Sequence, residues 1–128
     1  GIAEDNSNKG ILSVTFSSQL KMEGRIKKNE LGLDHLEIES YHSLATNYYK
    51  SIGFDDRNII NILEKNLNLK PDKAFIKYDI IILDEAQDMS ILFYRLIHKF
   101  LKDINFNGIY YRRDIGHQVR KNFSNEEF

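Results

Sequence analysis

Cysteine is absent from the 128 residues of this chain. Its absence excludes a disulfide-stabilised scaffold and any zinc or iron–sulfur site held by thiolates, and it fits a reducing compartment such as the nucleus or the cytoplasm, or a viral factory for a viral protein. No apolar run approaches the length of a membrane span, and no basic segment followed by an apolar one opens the chain. We therefore expect a soluble intracellular protein or a piece of one.

An excess of charge of one sign is also absent, since 18 basic and 19 acidic residues leave a formal net charge of −1. The chain as a whole therefore lacks the basic surface typical of nucleic-acid-binding proteins, and any contact with DNA or RNA must be local. The chain does have an apolar fraction of 41% and an aromatic fraction of 12%, which is enough for a packed core. Its length indicates one domain, or one part of a larger domain.

Strand and helix patterns alternate along the chain. Strands are predicted at 11–16, 36–40, 78–83 and 107–111, and helices at 19–29, 41–53, 55–67 and 89–101. Asp55 or Asp56 could cap the helix at 55–67. Residues 1–10 read as the end of a helix followed by a turn, and residues 112–128 show no clear pattern. This order predicts an α/β fold with a mainly parallel sheet flanked by helices, whose ligand site lies at the carboxyl ends of the strands.

Two adjacent acids, Asp84 and Glu85, follow the continuous apolar run of the third predicted strand. A run without alternation indicates a strand covered on both faces, so the acids would lie at the mouth of the ligand crevice. An aspartate at that place can hold Mg²⁺ beside the phosphates of a nucleotide, and an adjacent glutamate can activate the attacking water. The alternative is an acidic turn that caps the next helix.

The longer string YDIIILDEAQDM, residues 78–89, resembles motif II, the Walker B segment, of UvrD/Rep-type superfamily 1 DNA helicases. The resemblance implies a RecA-like P-loop NTPase domain. It implies that Asp84 would hold magnesium and that Glu85 would be the catalytic carboxylate. Gln87 would belong to the catalytic site and link it to the neighbouring motifs.

Two further segments resemble motifs of the same family in the same order. Residues 11–20, ILSVTFSSQL, are similar to motif Ia, and residues 36–44, LEIESYHSL, are similar to motif Ib. The resemblance implies contacts with single-stranded DNA through five side chains: Thr15, Phe16, Ser17, Tyr41 and His42. Hydroxyls and free helix N–H groups suit phosphates, and an aromatic ring can stack on a base. The alternatives are that Phe16 is a core residue and that His42 only begins a helix.

The sequence departs from the family in two places. It contains no Gly-rich loop ending in Gly-Lys-Thr/Ser, which the family uses to hold phosphates, so we expect either a fragment that begins just after this loop or a lineage that has lost catalysis. Motif III is matched only at Asp114 and Gln118. There Arg113 replaces a glycine, the spacing is one residue too long, and the family's Ile-Tyr pair is missing.

The resemblance implies that residues 1–128 form a single partial RecA-like domain of an ATP-dependent DNA helicase. Its cofactors would be ATP and Mg²⁺, and its partners would be single-stranded DNA and a second RecA-like domain. The given chain should hydrolyse ATP poorly, because it lacks the phosphate-loop lysine. A basic helix face at Lys21, Arg25 and Lys28 is compatible with phosphate contact, but a charge cluster of this kind is usually a solvated surface.

Two other functions stay open. The first is a non-catalytic α/β interaction module in which the acidic strand end is a helix cap or docking surface. The second is a phosphatase or receiver-like domain that uses a strand-end aspartate. That function needs further carboxylates at strand ends, and neither candidate, Asp34 or Asp114, clearly ends a predicted strand.

Overall fold

Strands and helices alternate along the chain in the computed structural model. It describes residues 2–5, 9–50, 55–72, 77–84, 90–114 and 117–122, with the backbone alone for 113–114 and 117–122. The helices are α1 (Ile2–Asp5), α2 (Ser18–Leu31), α3 (Tyr41–Tyr48), α4 (Asp56–Glu64) and α5 (Ile91–Asp103). The strands are β1 (Ile11–Thr15), β2 (Leu36–Ser40), β3 (Ile80–Asp84), β4 (Ile109–Asp114) and β5 (His117–Asn122).

The five strands form one sheet in the order β2-β1-β3-β4-β5. The strands from β2 to β4 pair in parallel, and β5 pairs antiparallel with β4 at the edge. The predicted α/β class with a mainly parallel sheet is therefore confirmed. The central position of β3 explains why its apolar run does not alternate, since both of its faces are buried. The strand β5 lies in the segment for which the sequence pattern predicts no element.

The sheet has a thick core on one face and a thinner one on the other. Helices α3, α4 and α5 pack on the first face, where the largest fully buried side chains include Tyr49, Phe93 and Phe100. The second face has a smaller buried cluster made of strand residues: Ile11, Leu36, Ile38, Ile80 and Ile82. Within the described residues, no helix is both long and apolar enough to cross a bilayer.

Helix α3 ends at Tyr48, five residues before the predicted end at Gly53. The next residue, Tyr49, is extended and fully buried, forms a bridge with Leu69, and donates its hydroxyl to Asp103 Oδ2 at 2.8 Å. In the sequence the helical spacing of apolar residues extends to Ile52, but burial of the Tyr49 ring requires the chain to turn inward. The prediction of a helix to Gly53 is therefore wrong at Tyr49 and Lys50, and its residues 51–53 lie outside the described residues.

Helix α4 begins as predicted and ends early. Asp55 is its N-cap, because the carboxylate accepts a hydrogen bond from Asn58 N at 3.2 Å. The helix ends at Glu64 rather than at Leu67, and Asn66 has a left-handed φ of 48°, which an α-helix does not allow.

The segments that precede the strands contact one another closely at the amino end of the sheet. Asp79 N donates to Gly10 O at 2.8 Å, and Gly10 N donates to Asp79 Oδ2 at 3.0 Å. A Cβ atom on Gly108 would lie 2.3 Å from Asp79 O, so only glycine fits at that position. These contacts join the segments that enter β1, β3 and β4.

Two tyrosines and one glutamate lie near the same end of the sheet, on the α3 face. Tyr78 donates its hydroxyl to Glu37 Oε2 at 2.6 Å, and the Tyr48 and Tyr78 hydroxyls share a hydrogen bond. Burial raises the pKa of Tyr48 to about 12, and burial together with the hydrogen bond to Glu37 raises the pKa of Tyr78. We call Glu37, Tyr48 and Tyr78 the tyrosine cluster.

Candidate functional site

The carboxyl ends of the parallel strands bring together the segments for which the sequence predicts a site. Thr15 at the end of β1 pairs with Ser40 at the end of β2. On the other side of β1, Val14 pairs with Leu83, so Thr15 and Asp84 are the next residues of two adjacent strands. Asp84 is half-buried and ends the central strand, as the sequence predicts. We call this end of the sheet the carboxyl edge.

The turn from β1 into α2 is held by its own hydroxyls. Thr15 is only 4% exposed, and its Oγ1 donates to Ser17 O at 3.2 Å. Ser17 is the N-cap of α2, because its Oγ accepts from Leu20 N at 3.2 Å. Between them, Phe16 is half-buried and its ring lies 5.8 Å from that of Tyr41. Phe16 therefore packs partly on the core and keeps part of its ring at the surface.

The turn from β2 into α3 is closed by a capping box. Ser40 Oγ accepts from Ser43 N at 3.1 Å, and Ser43 Oγ accepts from Ser40 N at 2.9 Å. Because β2 passes directly into α3, the predicted contact residues Tyr41 and His42 are the first two residues of the helix. The reciprocal cap leaves this short turn little freedom.

Tyr41 and His42 both contact an acid at the start of α4. Tyr41 is 6% exposed, its ring lies 4.8 Å from that of Phe93, and its hydroxyl donates to Asp56 Oδ1 at 3.3 Å. Burial and the neighbouring Asp56 carboxylate raise the pKa of Tyr41. His42 Nε2 lies 2.9 Å from the same oxygen, and its side chain is 24% exposed. Of this pair, His42 is the residue that reaches the surface.

Sequence reasoning missed Asp56 as a member of the site. The residue is predicted only as one of two possible caps for α4, and it lies 14 residues from His42 in the chain. Nothing in the local pattern indicates that α4 begins beside the first turn of α3. The apolar periodicity of α3 and α4 could have assigned both helices to one face of the sheet, and no other signal in the sequence places Asp56 near His42.

Sequence reasoning also missed a network of ionic and hydrogen-bonded contacts around one buried carboxylate beside the cap. Glu39 is 8% exposed, and its Oε1 lies 3.0 Å from Arg25 Nη2. Its Oε2 accepts from Ser43 Oγ at 2.5 Å and from Asn47 Nδ2 at 3.0 Å. Arg25 Nε also donates to Ile38 O at 3.1 Å. Arg25, predicted as part of a basic surface, is therefore engaged in a salt bridge within the chain.

Of the residues predicted to act at the nucleotide, only Asp84 is among the described residues. The predicted catalytic residues Glu85 and Gln87 lie outside the described residues. Among the residues that the structure does describe, no group of three or more acids and histidines is arranged to hold a metal ion. Asp84 is one carboxylate of the type that Mg²⁺ accepts, and magnesium binding at this position stays a prediction.

The two motif III residues are described by their backbone. Asp114 is the last residue of β4, and Gln118 lies in β5 opposite Arg113. The expectation that Asp114 does not end a strand is therefore wrong, because β4 continues beyond the apolar residues from which it is predicted. For Asp34 the expectation is correct, since this residue precedes β2.

Comparisons of the chain with protein-family models, with curated proteins and with solved structures find no match.

Proposed function

We propose that the chain is part of a RecA-like domain of an ATP-dependent DNA helicase and that its carboxyl edge binds single-stranded DNA beside a nucleotide site. The observation that carries the proposal is the contact between the two turns that resemble motifs Ia and Ib. Their strand ends are paired at Thr15 and Ser40, and the rings of Phe16 and Tyr41 are 5.8 Å apart. The segment that resembles motif II ends on the adjacent strand.

In this proposal the five predicted DNA-binding residues divide into two groups. Phe16 and His42 reach the surface, where an aromatic ring stacks on a base and an imidazole binds a phosphate. Thr15 and Tyr41 are buried, so their role is to hold Phe16 and His42 in position. Ser17 contributes the capped start of α2, where backbone N–H groups point toward the same edge.

The nucleotide half of the proposal follows from the resemblance at motif II. Asp84 would hold Mg²⁺, and Glu85 would activate the water that attacks the terminal phosphate of ATP. Bound Mg²⁺ neutralises charge on the phosphates. The 128 residues contain no Gly-Lys-Thr/Ser loop, so DNA binding is the activity to test on this chain.

Fluorescence anisotropy with a labelled oligothymidylate tests the proposal. We expect the chain to bind the single strand with an affinity that falls as salt rises. Phe16→Leu keeps the apolar packing but removes the stacking ring, and His42→Ala removes the phosphate contact. Each should weaken binding about fivefold to tenfold.

The matched control is His98→Ala. His98 is a half-buried histidine on α5, outside the carboxyl edge. Circular dichroism verifies that each variant is folded. No binding by the wild-type chain, or an equal loss in the control and in both test variants, would contradict the proposal.

The hydrolytic half is tested in a longer chain that contains a phosphate loop. There Glu85→Gln should abolish DNA-stimulated ATP hydrolysis and leave DNA binding intact. Normal turnover by this variant would end the role proposed for Glu85.

A further inference from the structure

Glu39 is a buried carboxylate whose oxygens are both used within the chain. One oxygen faces Arg25 Nη2 at 3.0 Å, and the other accepts from Ser43 Oγ at 2.5 Å and from Asn47 Nδ2 at 3.0 Å. A buried carboxylate is costly unless it is paired and hydrogen-bonded, and Glu39 meets both conditions. Its three partners come from two helices, α2 and α3.

Ser43 connects this carboxylate to the start of α3. A serine hydroxyl has one proton, and the shortest contact of Ser43 Oγ is the one to Glu39 Oε2. Donation to Glu39 turns the lone pairs of Ser43 Oγ toward Ser40 N, which lies 2.9 Å away. The orientation that the capping box needs is therefore selected by the carboxylate.

Arg25 connects the same carboxylate to α2. Its guanidinium donates both to Glu39 and to Ile38 O in β2. Helix α2 begins at the Phe16–Ser17 turn, and α3 begins with Tyr41 and His42. The path from Arg25 through Glu39 and Ser43 thus joins the helices that carry the two turns of the carboxyl edge.

We propose that Glu39 is a positioning residue that keeps these two turns in register, so that Phe16 and His42 bind one strand of nucleic acid together. The inference rests on the proposed function, because it assigns Glu39 a role in that binding. Glu39 does not touch the DNA. It acts through Ser43 on His42 and through Arg25 on the start of α2.

Glu37 provides a matched control within the same strand. It lies on the same face of β2, two residues earlier, and it also accepts hydrogen bonds, from Tyr48 and Tyr78. Its partners belong to the tyrosine cluster and not to the carboxyl edge. Glu37→Gln and Glu39→Gln are therefore the same chemical change on one face of β2, at an exposed and at a buried carboxylate with different partners.

The test compares oligothymidylate affinity and the NMR signals of the His42 imidazole in the wild-type chain and in these variants. We expect Glu39→Gln to weaken binding about threefold to tenfold and to shift the His42 signals. Glu37→Gln should lower the thermal midpoint of unfolding but change neither the affinity nor the His42 signals. The affinity is measured well below that midpoint. Arg25→Lys, which keeps the charge but loses the double contact, should fall between wild type and Glu39→Gln.

A double-variant cycle separates positioning from general destabilisation. If Glu39 acts through His42, Glu39→Gln should weaken binding much less in a chain that already carries His42→Ala. A purely structural role would give the same loss in both backgrounds, and that result would overturn the inference.

An unchanged affinity or unchanged His42 signals in folded Glu39→Gln would also overturn the inference. In that case, weak binding by His42→Ala would leave the proposed function standing. A wild-type chain that binds no oligonucleotide would reject the proposed function and the inference together.

Discussion

The two ends of the sheet use their polar groups in different ways. At the amino end, the tyrosine cluster and the contact between Gly10 and Asp79 join elements that are far apart in the chain. At the carboxyl edge, Ser17 and Ser40 bond to backbone groups only three residues away. The hydrogen bonds of the amino end thus join residues 30 to 69 positions apart, whereas Tyr41 and His42 at the carboxyl edge reach 15 and 14 positions, to Asp56. The carboxyl edge has short, preformed turns with Phe16 and His42 half-buried at the surface.

The two glutamates of β2 show the same contrast within one strand. Glu37 is exposed and receives the hydroxyls of two tyrosines, whereas Glu39 is buried and binds a cation, a hydroxyl and an amide. Because both lie on the face toward α3, the difference comes from their neighbours and not from the strand pattern. Substitutions at the two ends should therefore separate stability from DNA binding.

The largest expected effect is at the amino end, in Gly108→Ala. The new methyl group would lie 2.3 Å from Asp79 O, so the backbone must shift, at a cost of about 2–3 kcal/mol in the free energy of unfolding. The matched change Gly24→Ala meets only the flexible end of Ile38 at 3.0 Å, within a helix that favours alanine. Urea denaturation measures both. An equal loss in the two variants would contradict the role given to Gly108.

The next effect is the loss of a buried hydroxyl in Tyr78→Phe. This change removes the donor to Glu37 and the partner of Tyr48, and it should lower the free energy of unfolding by about 1–2 kcal/mol. Oligothymidylate affinity should stay at the wild-type value, because the tyrosine cluster is at the other end of the sheet. A weakened affinity in folded Tyr78→Phe would contradict the separation of the two ends.

Removal of helix caps should have a smaller effect on stability. Ser17→Ala at the carboxyl edge and Ser90→Ala at the start of α5 each remove a hydroxyl that accepts one backbone N–H at 3.2 Å. Each should cost about 1 kcal/mol in thermal or urea unfolding. We expect only Ser17→Ala to weaken DNA binding as well. Equal affinities in the two variants would remove Ser17 from the proposed site.

The smallest expected effect comes from the ionisation of Tyr48, which changes stability only at alkaline pH. Its pKa rises from 10.0 to about 12 in the folded chain, so the stability that comes from this group is complete below about pH 10 and is lost as pH rises toward 12. Urea midpoints at pH 8 and pH 11 should differ less for Tyr48→Phe than for the wild-type chain. A pH dependence that this substitution leaves unchanged would assign the alkaline loss to other groups.

Much of the fold is predictable because its signals are local. The apolar spacing predicts α5, the unbroken run predicts the buried β3, and Asp55 is correctly identified as a possible cap. The strand β5 is missed because the sequence HQVRKN has a single apolar residue to indicate a buried face. The end of α3 is missed because the periodicity cannot show that Tyr49 turns inward to meet Asp103.

The candidate site is predictable only in part for the same reason. Strand ends and helix starts can be located from neighbouring residues, and this locates Thr15, His42 and Asp84 at one edge. Asp56 and Arg25 join the site through contacts with residues 14 positions away, on elements whose packing the pattern does not specify.

The amino-acid order is enough to specify which segments become strands and helices and where most of them start, because periodicity and capping act over a few residues. The packing of α2 and α3 around β2 decides which of two similar glutamates is exposed and which is buried in a salt bridge. The reason is that the cost of burying a charge depends on the partners that surround it, and these come together only when the distant parts of the chain have packed.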